Sequence, residues 1–274
     1  MLVRRLGLRL PEAATAPPVG DLLDLAALER WELSDRLLRV RLTGGDEAAL
    51  RARCQAAGEL PPDRYGDALW DALDAEVGRV DDGPWTPWSA AVAWQGRGAD
   101  GAQHRIAGEL PASWYRRADG TLAYATASAA KPQHVLGLRL GLALLAATAP
   151  GAAVRVRFRD QATELVVPTP ASAAAELGIC AALHALAART PLPWWPAVQA
   201  PLAEGDAAAA WAAWSEPADG APAVMQQPAT RWCFRGCPDP FALPGPAVPW
   251  LPDAGAPLAV RIARLLRPLM ELPA

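Results

Sequence analysis

The stretch AAGELPPDRYGDALWDALDAEV, residues 56–77, decides the fold that this sequence predicts. Two prolines, Pro61 and Pro62, form a rigid lead-in, because proline fixes φ and is favoured at the first turn of a helix. Asp63 can cap the helix that follows. Apolar side chains then recur at helical spacing and form one face: Tyr65, Leu69, Trp70, Leu73 and Val77. We therefore predict an amphipathic helix that opens a new domain.

Upstream of this helix, the chain begins with a short arginine-bearing arm and a proline-rich connector, PEAATAPPVG, at residues 11–20. Leucine and tryptophan then recur at helical spacing over residues 22–42, and a second, shorter helix is expected over residues 47–57. We predict that residues 1–58 form an N-terminal arm with helices.

Downstream, the apolar pattern changes to the period of β-strands. Three short strands are expected over residues 88–94, 105–110 and 122–128, joined by the turn-rich segments QGRGADGAQ and PASWYRRADG. We interpret them as a three-stranded meander.

A strongly apolar helix is then expected over residues 132–147, followed by a strand pair, AVRVRFR and TELVVP, and a helix over residues 171–189. This order predicts an α/β core over residues 59–190, in which a mixed sheet is flanked by helices. Residues 191–274 are rich in proline and tryptophan, and we predict an irregular tail with a short helix near 207–214 and a final helix over 258–269.

Composition limits the function classes. A net charge of −3 gives no overall electrostatic argument for nucleic acid, so any such contact has to be local. Four cysteines are too few for a secreted disulfide scaffold, which favours a reducing cytoplasm. The longest apolar run, residues 135–149, contains Arg139 and is too short to span a bilayer. We expect no membrane role.

Several segments resemble the C-terminal region of RecC, the gamma subunit of exodeoxyribonuclease V (RecBCD): ERWELSDRLL, RARCQAAGELPPDRYGDALWDAL and RIAGELP. Weaker similarity continues through AKPQHVLGLRLGLALLAA, PTPASAAAELGICAALHAL and IARLLRPLMELP. The order of elements is also that of the restriction-endonuclease-like, or PD-(D/E)xK, fold. The resemblance implies a nuclease-like domain whose first core helix is the helix of the opening stretch.

A working nuclease of this fold needs carboxylates for Mg²⁺ and a nearby lysine. The predicted third strand, Leu122 to Thr126, offers neither an acid nor a lysine, Glu109 stands alone at the end of the second, and Lys131 lies beyond the strands. We therefore predict a degenerate site with no catalytic residues, as the resemblance to RecC also implies. No phosphate loop is present, so Mg²⁺ and ATP are expected to be used by partner subunits, and this chain is expected to hold no cofactor.

Cys233 and Cys237 have a spacing that suits zinc, but the sequence offers no second ligand pair. We expect two ordinary thiols in a turn and no metal.

Six residues are candidates for DNA contact. In SWYRRADG, Trp114 and Tyr115 could stack on bases while Arg116 and Arg117 contact phosphates; alternatively, the rings pack inward and the arginines are solvated. Arg155 and Arg157 alternate with apolar residues, so they share one face of a strand. That face could follow a phosphate backbone, although the solvated side of an edge strand is the commoner explanation.

The resemblance implies a non-catalytic domain that scaffolds RecB-like and RecD-like subunits. Such a domain would guide forked or single-stranded DNA in double-strand break repair and recombination, in the bacterial cytoplasm. Two alternatives stay open: an independent Mg²⁺-dependent DNA nuclease of the same fold, and a stand-alone adaptor protein.

Overall fold

A computed structural model describes residues 27–80, 84–217, 223–245 and 248–272. These ranges contain nine α-helices: α1 (Ala27–Thr43), α2 (Glu47–Ala56), α3 (Asp63–Val77), α4 (Pro132–Leu145), α5 (Pro170–Ala187), α6 (Pro196–Glu204), α7 (Ala207–Ser215), α8 (Pro228–Cys233) and α9 (Leu258–Met270). They also contain seven strands: β1 (Thr86–Pro87), β2 (Ala91–Arg97), β3 (Gln103–Glu109), β4 (Trp114–Arg116), β5 (Leu122–Ala125), β6 (Ala153–Arg157) and β7 (Ala162–Val166).

The main sheet has five strands in the order β1-β4-β5-β6-β7. Only β5 and β6 are parallel, and every other neighbouring pair is antiparallel. Helix α4 joins β5 to β6, because parallel neighbours need a crossover connection. The predicted mixed sheet flanked by helices is confirmed.

The predicted three-stranded meander is wrong. β2 and β3 pair only with each other and form a separate hairpin, while β5 pairs with β4, a strand inside the segment predicted as a loop. The turn after β4 explains the difference. Gly120 has φ of 88°, and Thr121 N–H donates to Asp119 Oδ1 at 2.9 Å, which closes a tight hairpin between β4 and β5.

Consecutive strand residues point to opposite faces, so the main sheet separates two cores. Towards α1, α2 and α3 lie Tyr115, Ala123 and Ala125, packed with Leu37 and Leu73. Towards α4 and α5 lies a second apolar cluster, which includes Trp114, Leu122, Tyr124, Leu138, Val154 and Leu177. The sheet is thus covered on both faces, as in layered α/β proteins.

The opening stretch forms α3 with two corrections. Pro62, not Asp63, occupies the N-cap position, and no side chain caps the helix. Tyr65 was expected on the buried face but is 47% exposed, whereas Gly66 is buried. A Cβ on Gly66 would lie 2.1 Å from the carbonyl oxygen of Pro61, so the chain folds back on the helix at this point.

The tail is more regular than predicted. The expected helices near 207–214 and 258–269 are confirmed as α7 and α9, and α6 and α8 are additional. Both additional helices begin with proline, a residue favoured at the first helical position. α9 packs against α4 and α6, and its Ile262 shares an apolar cluster with Leu183 of α5. The tail is therefore continuous with the packing of the core helices.

Within the described ranges, α5 is the one helix with the length and apolar composition of a membrane span. It packs against α4 and against the β2–β3 hairpin, and its Leu177 and Ala182 are 1% exposed. Such packing is typical of a core helix.

Candidate nucleic-acid interface

The two aromatic candidates are buried in opposite cores. Trp114 is 0% exposed and Tyr115 is 2% exposed, because consecutive residues of β4 face opposite sides of the sheet. The Trp114 ring packs edge-on against Tyr124 with centroids 5.5 Å apart. Burial raises the pKa of Tyr115 and of Tyr124. Base stacking by these rings is not possible in this arrangement, and the alternative in which they pack inward describes the structure.

The two arginines that follow diverge. Arg116 is exposed on the Trp114 side of the sheet, whereas Arg117 lies over the ring of Trp85 at 5.5 Å. Arg117 also pairs with Asp119 at 3.7 Å. Hydrogen bonds from Thr121, with Arg117 nearby, lower the pKa of Asp119. Arg117 is thus held by an aromatic ring and an acid, while Arg116 extends into solvent.

The arginines of β6 do not lie on an edge strand, because β6 is flanked by β5 and β7. Arg157 donates to the carbonyl oxygen of Arg79 at 2.9 Å and to that of Val77. Val77 is the last residue of α3 and Arg79 follows its C-cap, and carbonyls at a helix C-terminus have no intrahelical partner. Arg157 therefore ties β6 to α3, a structural contact that the alternating pattern alone did not reveal.

A groove of about 420 Å³ opens where α1 and α3 leave the sheet uncovered, and we call it the sheet groove. Its floor and walls are formed by Trp85, Ala123, Ala125, Arg155, Arg157, Thr163 and Glu164, among others. Arg155 stands directly opposite Glu164 in the β6–β7 register and also lowers the pKa of Asp119. The groove therefore carries charges of both signs.

No metal centre is assembled by these residues. Glu109 ends β3, outside the main sheet, where its Oε2 accepts from Ser89 at 3.4 Å, so its assignment to the second core strand is corrected. Neither β4 nor β5 carries an acid or a lysine. Within the described ranges no cluster of three or more His, Cys, Asp or Glu could hold a metal ion.

Two features were not predicted from the sequence. Arg41 donates to the Gly78 carbonyl at 2.7 Å and pairs with Glu47 and Asp74, so α3 has a second arginine at its C-terminal end. Burial would lower the pKa of Arg41, but hydrogen bonds to both acids raise it. The contacts with Gly78 and Asp74 have no local sequence signal, since these partners lie 37 and 33 positions away.

The second feature is a groove of about 790 Å³ in the tail, which we call the tail groove. Its walls include Leu202, Trp211, Phe241 and Val260, from segments far apart in the chain. Trp211 is 44% exposed at its edge. Only tertiary packing brings these residues together.

The fold and the groove define a mixed α/β domain with an arginine-bearing groove and, in its described ranges, no assembled metal site. The model of the RecC C-terminal domain family matches residues 2–207, about three quarters of the sequence, and the chain belongs to that family. Membership indicates involvement in the RecBCD complex, exodeoxyribonuclease V, and in DNA repair; that complex is bacterial and cytoplasmic. A comparison with curated proteins found no match.

Proposed function

We propose that this chain is a non-catalytic domain of a RecBCD-type helicase–nuclease. It scaffolds the RecB-like and RecD-like subunits and guides DNA strands in double-strand break repair. The observation that carries this proposal is the family match over residues 2–207. ATP and Mg²⁺ are then used by the partner subunits.

Exposed aromatic and apolar side chains support the scaffold role. Trp211, Met225 and Trp232 are 44%, 43% and 63% exposed, and all three belong to the tail. Tryptophan and methionine are enriched in protein interfaces, and exposed apolar patches are typical of binding surfaces. The tail groove beside Trp211 is large enough for several partner side chains.

Arginines support strand guidance. Arg155 lines the sheet groove, Arg117 is held at its rim over Trp85, and Arg116 is exposed on the other side of β4. Guanidinium groups bind phosphate oxygens through paired donors. With Trp114 and Tyr115 buried, this contact would follow the backbone of a strand and would not read its bases.

We also propose that the core is a degenerate restriction-endonuclease-like fold. The supporting observation is the order α3, β1, β4, β5, α4, β6, with antiparallel pairs followed by a parallel one. The hairpin of β2 and β3 is then an insertion between the first two core strands. The absence of acids and lysine from β4 and β5 supports the loss of catalysis.

Co-elution on a sizing column tests the scaffold role. The full chain is mixed with RecB-like and RecD-like subunits from the same source, with and without a forked duplex, and we expect one shared peak. Trp211→Asp should weaken that peak, while Tyr65→Asp, at an equally exposed position on α3, should not. Separate elution of the unaltered chain under every condition would contradict the proposal.

A further inference from the structure

The tail presents one tryptophan ring almost fully to solvent. Trp232, on α8, is 63% exposed, the largest exposed fraction of any aromatic side chain in the described ranges. It also lies beyond residues 2–207, which the family match covers. A single exposed ring is common on protein surfaces, so its surroundings decide what it can bind.

The packing of α8 holds Trp232 in this outward position. On the inner side, Thr230 is 5% exposed and accepts a hydrogen bond from Trp195 Nε1 at 3.2 Å. One turn later, Phe234 packs edge-on against the Trp195 ring, with centroids 4.9 Å apart. Each residue of a helix is rotated by about 100°, so Trp232 points to the side opposite Thr230. The ring is therefore presented on a fixed support.

Two arginines flank the ring. Arg231 and Arg235 are exposed, and in the part of the chain that the structure describes their side chains make no ion pair or hydrogen bond. They are four positions apart and so lie on one side of this helical turn, next to Trp232. Residues 223–238 contain no Asp or Glu. The surface thus combines an open aromatic face with two positive charges that no carboxylate of this segment offsets.

This combination suits single-stranded nucleic acid. A nucleobase stacks on an indole ring whatever its identity, and guanidinium groups bind phosphate oxygens. A protein partner is better suited to Trp211, because the charged residues that line the tail groove, Glu216 and Asp239, are both acidic and the groove is otherwise mainly apolar. Trp232 is not among the residues that line that groove, whereas protein hot spots usually fill well-packed pockets.

We propose that Arg231, Trp232 and Arg235 form a binding site for single-stranded DNA. The Trp232 ring stacks on one base, and the two arginines bind phosphates beside it. The inference rests on the proposed guidance of DNA strands and adds to it a site in the tail, separate from the sheet groove.

Fluorescence anisotropy of a labelled oligothymidylate with the full chain tests the stacking contact. Trp232→Ala should weaken the affinity about tenfold, since stacking on an aromatic ring is lost. Trp232→Phe should keep most of the affinity, whereas Trp232→Leu, which is apolar without an aromatic face, should weaken it as alanine does. Trp211→Ala is the matched control, because Trp211 is also exposed, and it should bind as the unaltered chain does.

A salt series tests the arginines. Arg231→Gln and Arg235→Gln should each reduce the slope of log affinity against log salt by about 0.7, because one fewer phosphate of a single strand is neutralised. A duplex of the same length should not respond to Trp232→Ala, since its bases are already stacked on each other. The proposal would be overturned if the unaltered chain failed to bind the oligothymidylate, or bound it no more tightly than Trp232→Ala does.

Co-elution with RecB-like and RecD-like subunits separates this site from the scaffold role. If Trp232→Ala lost co-elution while its affinity for the oligothymidylate stayed unchanged, Trp232 would be a protein contact and the DNA site would be refuted. If the unaltered chain eluted apart from both subunits but bound the oligothymidylate through Trp232, the scaffold role would fail and the DNA site would stand.

Discussion

At the residue scale, two glycines allow close approaches that hold the core together. Gly66 lets α3 fold back on Pro61, and Gly141 lets α4 lie against the ring of Trp114, where a Cβ would be 2.6 Å from Cζ2. Trp114 is 0% exposed, so its ring has no space into which it can move. These contacts explain why small residues interrupt otherwise apolar helices.

Gly141→Ala should therefore lower the free energy of unfolding by about 1–3 kcal/mol, the usual cost of overpacking a core. Gly137→Ala is the matched control in the same helix, because nothing lies within 4 Å of its added Cβ. It should raise stability by about 0.5–1 kcal/mol through helix propensity. Denaturant unfolding measures both, and equal effects would contradict the close contact.

Burial also controls the chemistry of one cysteine, since it raises the pKa of Cys180 to about 11. At pH 8.5 the thiolate fraction should be about 0.3%, against about a quarter for a thiol at its ordinary pKa of 9.0. Alkylation of Cys180 should therefore be slow and should accelerate as pH rises towards 11. Mass spectrometry of labelled peptides checks this, and the folded chain labelling as fast as the unfolded one would refute it.

At the scale of elements, sequence periodicity predicted the long helices well, because a burial pattern that repeats over 15 or more residues averages out local exceptions. It failed for β4, which has three residues and becomes a strand only through the tight turn at Gly120. It also could not separate the β2–β3 hairpin from the main sheet, since pairing partners are chosen by tertiary packing.

At the candidate site, too, the sequence pattern predicted local geometry but not tertiary contacts. The sequence identified Arg155 and Arg157 as neighbours on one face, and the structure places both in the sheet groove. It could not show that Arg157 is bound to the end of α3, because Val77 lies 80 positions away. Nor could it choose between stacking and burial for Trp114, because aromatic side chains suit both.

Arg157→Met is predicted to lower the stability of the fold. It removes donors to the Val77 and Arg79 carbonyls, so the free energy of unfolding should fall by about 1–3 kcal/mol. Thermal or denaturant unfolding measures this effect. An unchanged unfolding midpoint would show that α3 does not depend on the contact.

Arg116→Met is predicted to lower DNA affinity instead of stability, because the Arg116 side chain is exposed. Binding of a single-stranded oligonucleotide should weaken, and the slope of log affinity against log salt should fall by about 1. Stability should change by less than about 0.5 kcal/mol. Fluorescence anisotropy across a salt series measures the affinity for the oligonucleotide. An unchanged affinity would show that Arg116 is not part of the proposed interface.

At the scale of the whole molecule, the helices of the tail pack against the helices of the core. Leu183 of α5 and Ile262 of α9 belong to one apolar cluster, and Arg261 is 3% exposed with its donors on the Val248, Leu251 and Pro252 carbonyls. The tail therefore covers apolar surface that the core would otherwise expose.

Truncation after residue 190 should consequently expose this surface and destabilise the remaining chain. We expect a lower unfolding midpoint and association on a sizing column, because the removed α9 buries Leu183. Circular dichroism and light scattering measure the two effects. A monomeric fragment with the midpoint of the full chain would instead indicate an independent core domain.

The β2–β3 hairpin leaves the main sheet after β1 and returns to it at β4. Trp88 N–H donates to the Trp114 carbonyl at 2.9 Å, so the chain departs and rejoins at one hydrogen-bonded point. Changes in hairpin length would leave the pairing of β1, β4 and β5 in register. In evolutionary terms, the hairpin is expected to tolerate insertions and deletions that the five-stranded framework would not.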